Sequence, residues 1–215
     1  MRKYTDDEMI ARLERVGVIV HNTHVKLSNG CCTRTYANFV PGLVPREERS
    51  VLVSEAAALV QHSHSSAPVI VGAGCGSYYA LQVADLLGLS FAYAERAEGG
   101  VFRFKREQTK LIANRNIVLF DDVLTTSTTL TKLGKLVKAC GGMPTQGIVL
   151  LNRSQDSHVV PELDAEVPIH QLMERYYEMW PSEALCPECA KGNRPSPNIE
   201  GGERVFRQHG YRAQS

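Results

Sequence analysis

Short apolar runs alternate with longer segments of helical periodicity through the middle of the chain. Runs of strand length lie at residues 69–71, 90–94, 117–120 and 147–151. Between them, YYALQVADLLG ends in a glycine and a second periodic segment runs from about Ser127 to Ala139, as is typical of helices. Strands that alternate with helices at this spacing predict an α/β fold, a doubly wound parallel sheet with helices on both faces.

The two ends of the chain depart from this alternation. TDDE at residues 5–8 predicts the start of a helix, and HVKLSNGCCTRTYANF predicts two short strands about the turn Asn29–Gly30. A further helix is predicted from Pro45, and a loosely ordered tail from about Lys191. We expect one domain over residues 1–215, with an N-terminal hood (1–44), a core (45–180) and a C-terminal tail (181–215).

Two carboxylates and five hydroxyl side chains follow the apolar run at 117–120. Asp121 and Asp122 cannot enter a core unpaired, so we expect them where the strand emerges. The residues Thr125–Thr129 lead into a helix whose N-terminal N–H groups favour a phosphate. The carboxylates would repel that phosphate, so they need a ligand group with hydroxyl donors, such as a ribose diol, or a magnesium ion. The alternative is an ordinary turn in which these side chains only cap the helix.

Composition excludes several classes of protein. The chain has 215 residues, of which 43% are hydrophobic and 22% charged, enough for one substantial core. Its net charge of +1 gives no global field for nucleic acid, so we expect no nucleic-acid partner. The N-terminus is charged and no apolar stretch has the length of a membrane span, so we expect a cytoplasmic protein with no membrane partner.

Six cysteines raise the question of disulfides or a metal. A reducing compartment and a chain of this size argue against a disulfide framework. Cys186 and Cys189 have zinc-knuckle spacing, but a structural zinc site needs four ligands, so a plain C-terminal turn is favoured and zinc is the alternative. The histidines that could be imagined as ligands are expected to be surface or satisfied side chains, and no metal ligand is assigned: His21, His24, His62 and His64.

The segment VLFDDVLTTSTTL resembles the signature of the type I phosphoribosyltransferases, a hydrophobic strand followed by two acids and a threonine-rich loop. Five other segments are similar to the orotate phosphoribosyltransferases of that family: HVKLSNGCCTRTYANF, VIVGAGCGSYYALQVADLLG, FAYAERAEGG, IVLLNRS and ALCPECAKGNRPSPN. The last of these resembles a bacterial branch with a Cys-Pro-x-Cys tail. Together they cover roughly residues 15–197, in the order of the family.

The resemblance implies a doubly wound sheet with a small hood and an enzyme of pyrimidine nucleotide biosynthesis. Such an enzyme transfers ribose 5-phosphate from phosphoribosyl pyrophosphate (PRPP) to N1 of orotate, with Mg2+ bound together with PRPP. It also implies a homodimer whose mobile loop reaches into the neighbouring site. The glycines of GAGCGS, Gly72, Gly74 and Gly76, would approach pyrophosphate oxygens, and Cys75 would be a small loop residue rather than a nucleophile.

The resemblance also assigns residues to each part of the substrate. PRPP would be bound by Asp121, Asp122, Val123, Leu124, Thr125, Thr126, Ser127, Thr128, Thr129, Gly74, Gly76 and Arg96. The catalytic residues would be Asp121, Asp122, Arg96 and Lys105, with Arg103 and Arg106 as further loop candidates; the alternative for Arg103, Lys105 and Arg106 is a solvated charge run. Orotate would be bound by Arg153, Thr125, Ser28 and Tyr36, and the alternative for Arg153 is a surface ion pair.

Some positions depart from the family pattern. Ser127 and Thr128 stand where the family has small glycines, and Asn152 replaces an acid before the base-reading arginine. Two other functions therefore stay open beside the orotate enzyme. One is a phosphoribosyltransferase for another nucleobase, and the other is a regulator of the same fold that senses PRPP without turnover.

Overall fold

The computed structural model describes residues 3–27, 29–40, 42–62, 68–97, 100–105, 107–154, 158–161, 163 and 166–197. The chain divides into two compact units. The larger unit comprises Met1–Asp6 and Arg46–Tyr176, and the smaller unit comprises Asp7–Pro45 and Tyr177–Ser215. That these units make up a single phosphoribosyltransferase domain stays a prediction.

The helices and strands follow one another along the chain with short connections. In order they are α1 (Asp6–Arg15), β1 (Ile19–Val20), β2 (Val25–Lys26), β3 (Cys32–Thr33), β4 (Tyr36–Ala37), α2 (Arg46–His62), β5 (Val69–Ala73), α3 (Gly76–Leu87), β6 (Ser90–Arg96), β7 (Phe102–Arg103), α4 (Gln108–Ile112), β8 (Asn116–Leu124), α5 (Thr128–Ala139), β9 (Met143–Asn152), β10 (Val159–Val160), β11 (Val167–Glu174), β12 (Met179–Trp180), a 3-10 helix (Glu183–Leu185), α6 (Pro187–Ala190) and β13 (Ser196–Pro197). No helix in the described part of the chain is long and apolar enough to cross a membrane.

The larger unit is built on a seven-stranded sheet in the order β10-β11-β9-β8-β5-β6-β7. The five central strands pair in parallel, and the edge strands β7 and β10 are antiparallel to their neighbours. From β5 the chain passes through α3 to β6 on one side, whereas from β8 it passes through α5 to β9 on the other. The direction of winding therefore reverses between β5 and β8, and the predicted doubly wound fold is confirmed.

Both faces of the sheet are covered, which is why its central strands are apolar throughout. All five residues of β5 are buried. On one face, alternate residues such as Val71 and Leu119 form a core with Leu130 and Leu133 of α5. The helices α2 and α3 pack on each other and on the opposite face, where the fully buried Tyr79 lies. The two unusual loops follow β5 and β8 at their carboxyl ends.

Several elements differ from the sequence predictions. The strand predicted at 117–120 runs on to Leu124, because Asp121, Val123 and Leu124 continue the parallel ladder with β9. The strands β10 and β11 follow the last predicted strand and were not expected. Phe102 stands among the basic residues of the predicted mobile loop but is buried, since β7 pairs with β6 and turns this ring into the core.

The smaller unit contains the predicted hairpin. Val25 pairs with Thr33 and Lys26 with Cys32, so the two short strands about Asn29–Gly30 are confirmed. This hairpin is the centre of a four-stranded sheet in the order β12-β3-β2-β13. The tail expected to be loose from Lys191 is ordered as far as β13, which pairs with β2, and its remainder lies outside the described residues.

Candidate functional site

Two loops meet at the point where the winding of the sheet reverses. The loop Gly74–Gly76 connects β5 to α3. The segment Asp121–Ser127 begins in the last residues of β8 and continues to the start of α5. They approach so closely that a Cβ atom added to Gly76 would lie 2.7 Å from the Cα atom of Asp121. In open α/β sheets ligands bind at this position, beyond the carboxyl ends of the strands. The structure thus brings the glycine loop and the acids into one place.

The three glycines of the first loop serve different needs. A Cβ atom at Gly72 would lie 2.6 Å from the Cα atom of Ser77, and one at Gly76 would meet the backbone of Asp121 and Asp122. These two glycines are therefore required for packing of the loop against α3 and β8. Gly74 has φ +53° and open space around it. Of the three, Gly74 is the one with room for a ligand, and contact with pyrophosphate stays a prediction.

The two acids lie inside β8 and not beyond its end. Asp121 is only 7% exposed and Asp122 is half-buried, which corrects the expectation that both emerge from the sheet. The N–H group of Asp122 donates to Oδ1 of Asp121 over 3.0 Å. The side chains of Asp122 and Thr129 also lie close enough to influence the pKa of Asp121. These polar neighbours explain how a carboxyl group is accommodated within a buried strand.

Burial governs the ionisation of this pair. Burial raises the pKa of Asp121 well above the usual range of an aspartate, and the charge of Asp122 raises it further. Burial also raises the pKa of Asp122, although its hydrogen bond with Asp121 lowers that pKa in part. Hydroxyl donors or a cation supplied by a ligand would favour the ionised form and so oppose this rise in pKa.

The same surroundings keep two nearby groups neutral. Burial, together with the charges of Asp122 and Asp121, raises the pKa of the Cys75 thiol to about 11. Burial also raises the pKa of Tyr79. Nucleophilic cysteines require a lowered pKa. Cys75 is therefore a neutral loop side chain, as the sequence predicts.

The hydroxyl-rich loop is held by a strained residue at the N-cap of α5. Ser127 is buried, has φ +51°, and its carbonyl accepts the N–H of Thr131 over 2.9 Å. The hydroxyl groups of Thr126 and Thr128 are exposed and lie 2.9 Å apart. Thr125, Thr129 and Val123 are half-buried, and Leu124 is buried. Because Ser127 takes the left-handed conformation, it occupies a position that favours glycine.

Arg153 lies beside this loop, at the end of β9. Its backbone N–H donates to the carbonyl of Leu124 over 3.0 Å. Arg153 therefore lies directly beside the last residue of β8, where the hydroxyl-rich loop begins. The side chain is only 2% exposed, and the alternative of a surface ion pair is wrong. Asn152 organises the turn that follows, because its side-chain oxygen accepts both the N–H and the hydroxyl of Ser154. Base recognition by Arg153 stays a prediction.

Ser28 and Tyr36 are the other two residues predicted to contact orotate. Ser28 lies outside the described residues. Tyr36 belongs to β4 of the smaller unit, where it is half-buried. Within the larger unit, the structure therefore brings together the glycine loop, the two acids, the hydroxyl-rich loop and Arg153, and their binding of PRPP and orotate stays a prediction.

The predicted mobile-loop cations lie on the hairpin of β6 and β7. Arg96, Arg103 and Lys105 are exposed, and Arg106 lies outside the described residues. Lys105 forms an ion pair with Glu95, and this hydrogen bond lowers the pKa of Glu95. The guanidinium of Arg96 lies 5.6 Å from the centre of the Phe102 ring. In this conformation both cations are engaged within their own hairpin.

Lys132 was not considered in the sequence analysis, although it belongs to the same region. It stands in the second turn of α5, and its ammonium group donates to the carbonyl of Gly100 over 3.3 Å. Gly100 follows the segment AERAEG of the predicted mobile loop. Lys132 therefore ties that loop to the helix that begins at the phosphate cradle. The helical position alone gave no signal for this contact, since it depends on where the loop returns.

Comparisons with known proteins agree with this geometry. No family model matches the chain. The orotate phosphoribosyltransferase of Thermoanaerobacter sp. (strain X514) is 26% identical over 200 residues, which cover 93% of this chain and 98% of that protein. The solved orotate phosphoribosyltransferase of Aeropyrum pernix has a TM-score of 0.61 at 18% identity, over 77% of this chain and 93% of the other. An adenine phosphoribosyltransferase of Saccharomyces cerevisiae, solved with adenine, has a TM-score of 0.56 at 15% identity, over 78% and 99% of the two chains.

These matches confirm the predicted α/β fold as that of the type I phosphoribosyltransferases. They also confirm the resemblance in sequence to orotate phosphoribosyltransferases over most of the chain. Because an adenine enzyme shares the fold, the fold by itself does not identify the base.

Proposed function

We propose that this homologue of the orotate phosphoribosyltransferases, which has their type I fold, transfers ribose 5-phosphate from PRPP to N1 of orotate. The products are orotidine 5'-monophosphate and pyrophosphate, so the enzyme is a pentosyltransferase of pyrimidine nucleotide biosynthesis. The observation that carries the proposal is the pair formed by the buried Asp121 and the half-buried Asp122 at the reversal point of the sheet, next to a helix N-terminus and a loop of hydroxyl groups. A structural turn has no need of a pair of carboxyls whose pKa values are raised by burial.

The loop before α5 fits the 5-phosphate of the substrate. The first N–H groups of a helix have no partner within the helix and carry about half a positive charge. Thr126 and Thr128 present exposed hydroxyl donors at this end of α5. Ser127 turns the chain so that successive N–H groups can face one anion. We assign the phosphate to this cradle.

Asp121 and Asp122 fit the ribose of PRPP. Their oxygens accept hydrogen bonds, which the two ribose hydroxyl groups can donate. When the bond to pyrophosphate breaks, the anomeric carbon gains positive charge, and nearby carboxylates stabilise it. Hydrogen bonds from these hydroxyl groups would lower the raised pKa values of Asp121 and Asp122 and so favour their ionised forms.

Carboxylate oxygens are also ligands that suit Mg2+, which is usually held by one or two carboxylates together with substrate oxygens. The donors of Asp121 and Asp122 fit that ion. A bound Mg2+ would neutralise charge on the departing pyrophosphate. The residues of this chain that would bind the pyrophosphate itself are Gly74, through its open backbone, and the hairpin cations.

Arg96 and Lys105 would supply positive charge to the leaving group once they leave their present partners. Lys105 must first separate from Glu95, and Arg96 from the ring of Phe102. The cations themselves are exposed, and neither contact encloses its cation away from solvent, so substrate phosphates can compete for Arg96 and Lys105. We propose that the hairpin closes over PRPP in this way, excludes water, and reaches the site of a second chain in a homodimer.

The choice of orotate rests on the sequence relatives and on one charge. Orotate carries a carboxylate, and a guanidinium such as that of Arg153 can donate to it in a bidentate manner. We propose that Arg153, Thr125, Ser28 and Tyr36 contact the base. The cytoplasmic location stays a prediction.

A pyrophosphate-release assay with PRPP, Mg2+ and a panel of bases tests the proposal. Orotate is expected to give the fastest release, and orotidine 5'-monophosphate should accumulate in equal amount. Faster release with adenine, hypoxanthine or uracil would assign the enzyme to another base. PRPP binding without product from any base would favour the regulatory alternative. The double variant Asp121→Asn and Asp122→Asn controls for background hydrolysis.

A further inference from the structure

Four potential metal ligands meet in the smaller unit, far apart in sequence and outside the site described above. They are His24, Cys32, Cys186 and Cys189, and their ligand atoms all lie within 4.8 Å of one another. We call them the thiol–imidazole cluster. Cys186 and Cys189 carry the knuckle spacing recognised in the sequence, and His24 and Cys32 supply the two ligands that the sequence lacked.

The fold explains why these side chains converge. In the hairpin of β2 and β3, Cys32 lies opposite Lys26. His24 immediately precedes β2 and is two residues from Lys26, so in the continued extended chain it lies diagonally opposite Cys32 on the same face. Cys32 also pairs with Trp180 of β12, which brings the following chain alongside. There Cys186 caps α6 and Cys189 lies three residues further, on the same side of the helix turn.

The distances fit a tetrahedral ion. With zinc–sulfur bonds of about 2.3 Å and zinc–nitrogen bonds of about 2.0–2.1 Å, tetrahedral geometry puts nitrogen and sulfur about 3.6 Å apart and two sulfurs about 3.8 Å apart. Nε2 of His24 lies 3.2 Å from Sγ of Cys186 and 3.6 Å from Sγ of Cys189. The second separation matches the edge of such a tetrahedron and the first is about 0.4 Å shorter. With all four ligand atoms within 4.8 Å of one another, side-chain shifts of a few tenths of an ångström to about 1 Å would complete the tetrahedron.

The surroundings of the cluster are those of a closed structural site. Cys32 is 0% and Cys186 1% exposed, while His24 and Cys189 are half-buried. All four side chains are soft or borderline ligands, and no carboxylate belongs to the cluster. Within the described residues, Nδ1 of His24 has no hydrogen-bond partner, so the contacts of Nε2 with the two sulfurs are what orient the ring.

We infer that His24, Cys32, Cys186 and Cys189 form a structural zinc site of the Cys3His type. With four protein ligands the coordination sphere is complete, so the ion has no open position for catalysis. Zinc would take the place of the thiol protons, which leave to solvent as the ion binds, and no oxidation or reduction takes place.

The site would fasten the C-terminal segment to the N-terminal hairpin. The strands of the smaller unit that surround it, β2, β3, β12 and β13, have two residues each and make few ladder hydrogen bonds. Small units with little sheet and core commonly depend on a metal or a disulfide. A zinc ion that links Cys32 to Cys186 and Cys189 would close the long loop between the two segments, as a crosslink does.

Metal analysis of the full-length protein, purified without added metal, tests this inference. We expect about one zinc per chain by inductively coupled plasma mass spectrometry. Cys189→Ser should lower zinc affinity at least about tenfold in competition with a chromogenic chelator, because a direct ligand contributes more than an outer-shell partner. The matched control is Cys31→Ser, which changes the neighbour of Cys32 outside the cluster and should retain zinc.

A second measurement does not depend on the folding of any variant. Wild-type protein stripped of metal and loaded with Co2+ should show the absorption of tetrahedral cobalt together with sulfur-to-cobalt charge-transfer bands. The inference is overturned if the stripped wild type binds neither Zn2+ nor Co2+. It is also overturned if Cys31→Ser loses metal as Cys189→Ser does, or if mass spectrometry of the native protein shows a disulfide within the cluster.

Discussion

Replacement of Asp121 by Asn is expected to make the ligand-free protein more stable and much less active. Asp121 is 7% exposed within β8, and burial and the charge of Asp122 raise its pKa. The amide of Asn has almost the same shape and carries no charge. Its oxygen can replace the carboxylate as an acceptor, and its NH2 group can donate to Asp122 as the protonated acid does. The variant therefore keeps the hydrogen bonds and removes the cost of a buried charge.

The sign of the pH dependence follows from linkage. The folded protein holds the proton of Asp121 more tightly than the unfolded chain does, so this residue's contribution is fully present below the ordinary aspartate pKa. It is lost as the pH rises through the raised pKa of the folded state. The amide side chain of the Asp121→Asn variant does not titrate in this way. The stability difference between variant and wild type should therefore be largest at neutral and alkaline pH and should shrink on acidification.

Replacement of a destabilising residue typically raises the free energy of unfolding by about 0.5–2 kcal/mol. Each kcal/mol shifts the thermal midpoint of a chain of this size by about 2–4 °C. We therefore expect the thermal midpoint of the Asn variant to rise by about 1–8 °C at pH 8 without ligand. Loss of one preorganised charged group at the reacting centre should lower kcat by about a hundredfold to a thousandfold.

Thermal unfolding followed by circular dichroism from pH 8 to pH 4, with pyrophosphate release measured on the same samples, checks both parts. Glu95→Gln is the matched control, because the ion pair with Lys105 lowers the pKa of Glu95 and its neutralisation should not raise the midpoint. A midpoint for Asp121→Asn below wild type at pH 8 would refute the argument from burial. Activity close to wild type would refute the placement of Asp121 at the reacting centre.

Three further substitutions test other parts of the site. Arg153→Ala should lose about tenfold to a hundredfold in kcat/KM with orotate, and equal loss with uracil would contradict base recognition. Because the side chain is buried, this variant should also have a lower thermal midpoint. Arg153→Lys keeps the charge but should not restore kcat/KM. Gly76→Ala should cost about 1–3 kcal/mol in urea unfolding, since its Cβ atom would lie 2.7 Å from Cα of Asp121, whereas Gly42→Ala, with open space, should change stability by less than about 0.5 kcal/mol. Ser127→Gly should leave the midpoint nearly unchanged, because relief of about 1 kcal/mol at φ +51° is offset by the greater freedom of glycine in the unfolded chain; a marked drop would show that the serine side chain itself holds the loop.

The order of these elements was predictable because each has a recognisable local sequence pattern. Apolar runs such as Val69–Val71, bounded by glycine and helical periodicity, have few alternatives, and the observed β5, α3, β8, α5 and β9 follow them. The hairpin at Asn29–Gly30 was predictable for the same reason. The late strand β11 was not predicted, because its exposed His170 and Glu174 alternate with apolar residues in a way that short windows also show in loops.

The acids illustrate a limit of composition rules. A rule that charged residues leave the core predicts that Asp121 lies past the end of its strand. The structure instead keeps it in β8, where the N–H of Asp122 supplies a hydrogen-bond partner and the polar side chains of Asp122 and Thr129 lie nearby. Those groups come from the next residue and from the following helix, so whether a carboxyl can stay buried depends on a loop conformation that the sequence does not disclose.

Only two of the four ligands in the thiol–imidazole cluster could be predicted from the sequence. Spacing reveals ligands that share one turn, and it revealed Cys186 and Cys189. The other two ligands are set by strand register, because a shift of one residue between β2 and β3 would move Cys32 to the opposite face from His24. The predicted hairpin fixed neither that register nor the pairing of β3 with β12, which brings in the C-terminal segment. The four ligands therefore become a site only through two strand pairings, and a substitution that shifts either pairing should remove zinc binding as surely as the loss of a cysteine.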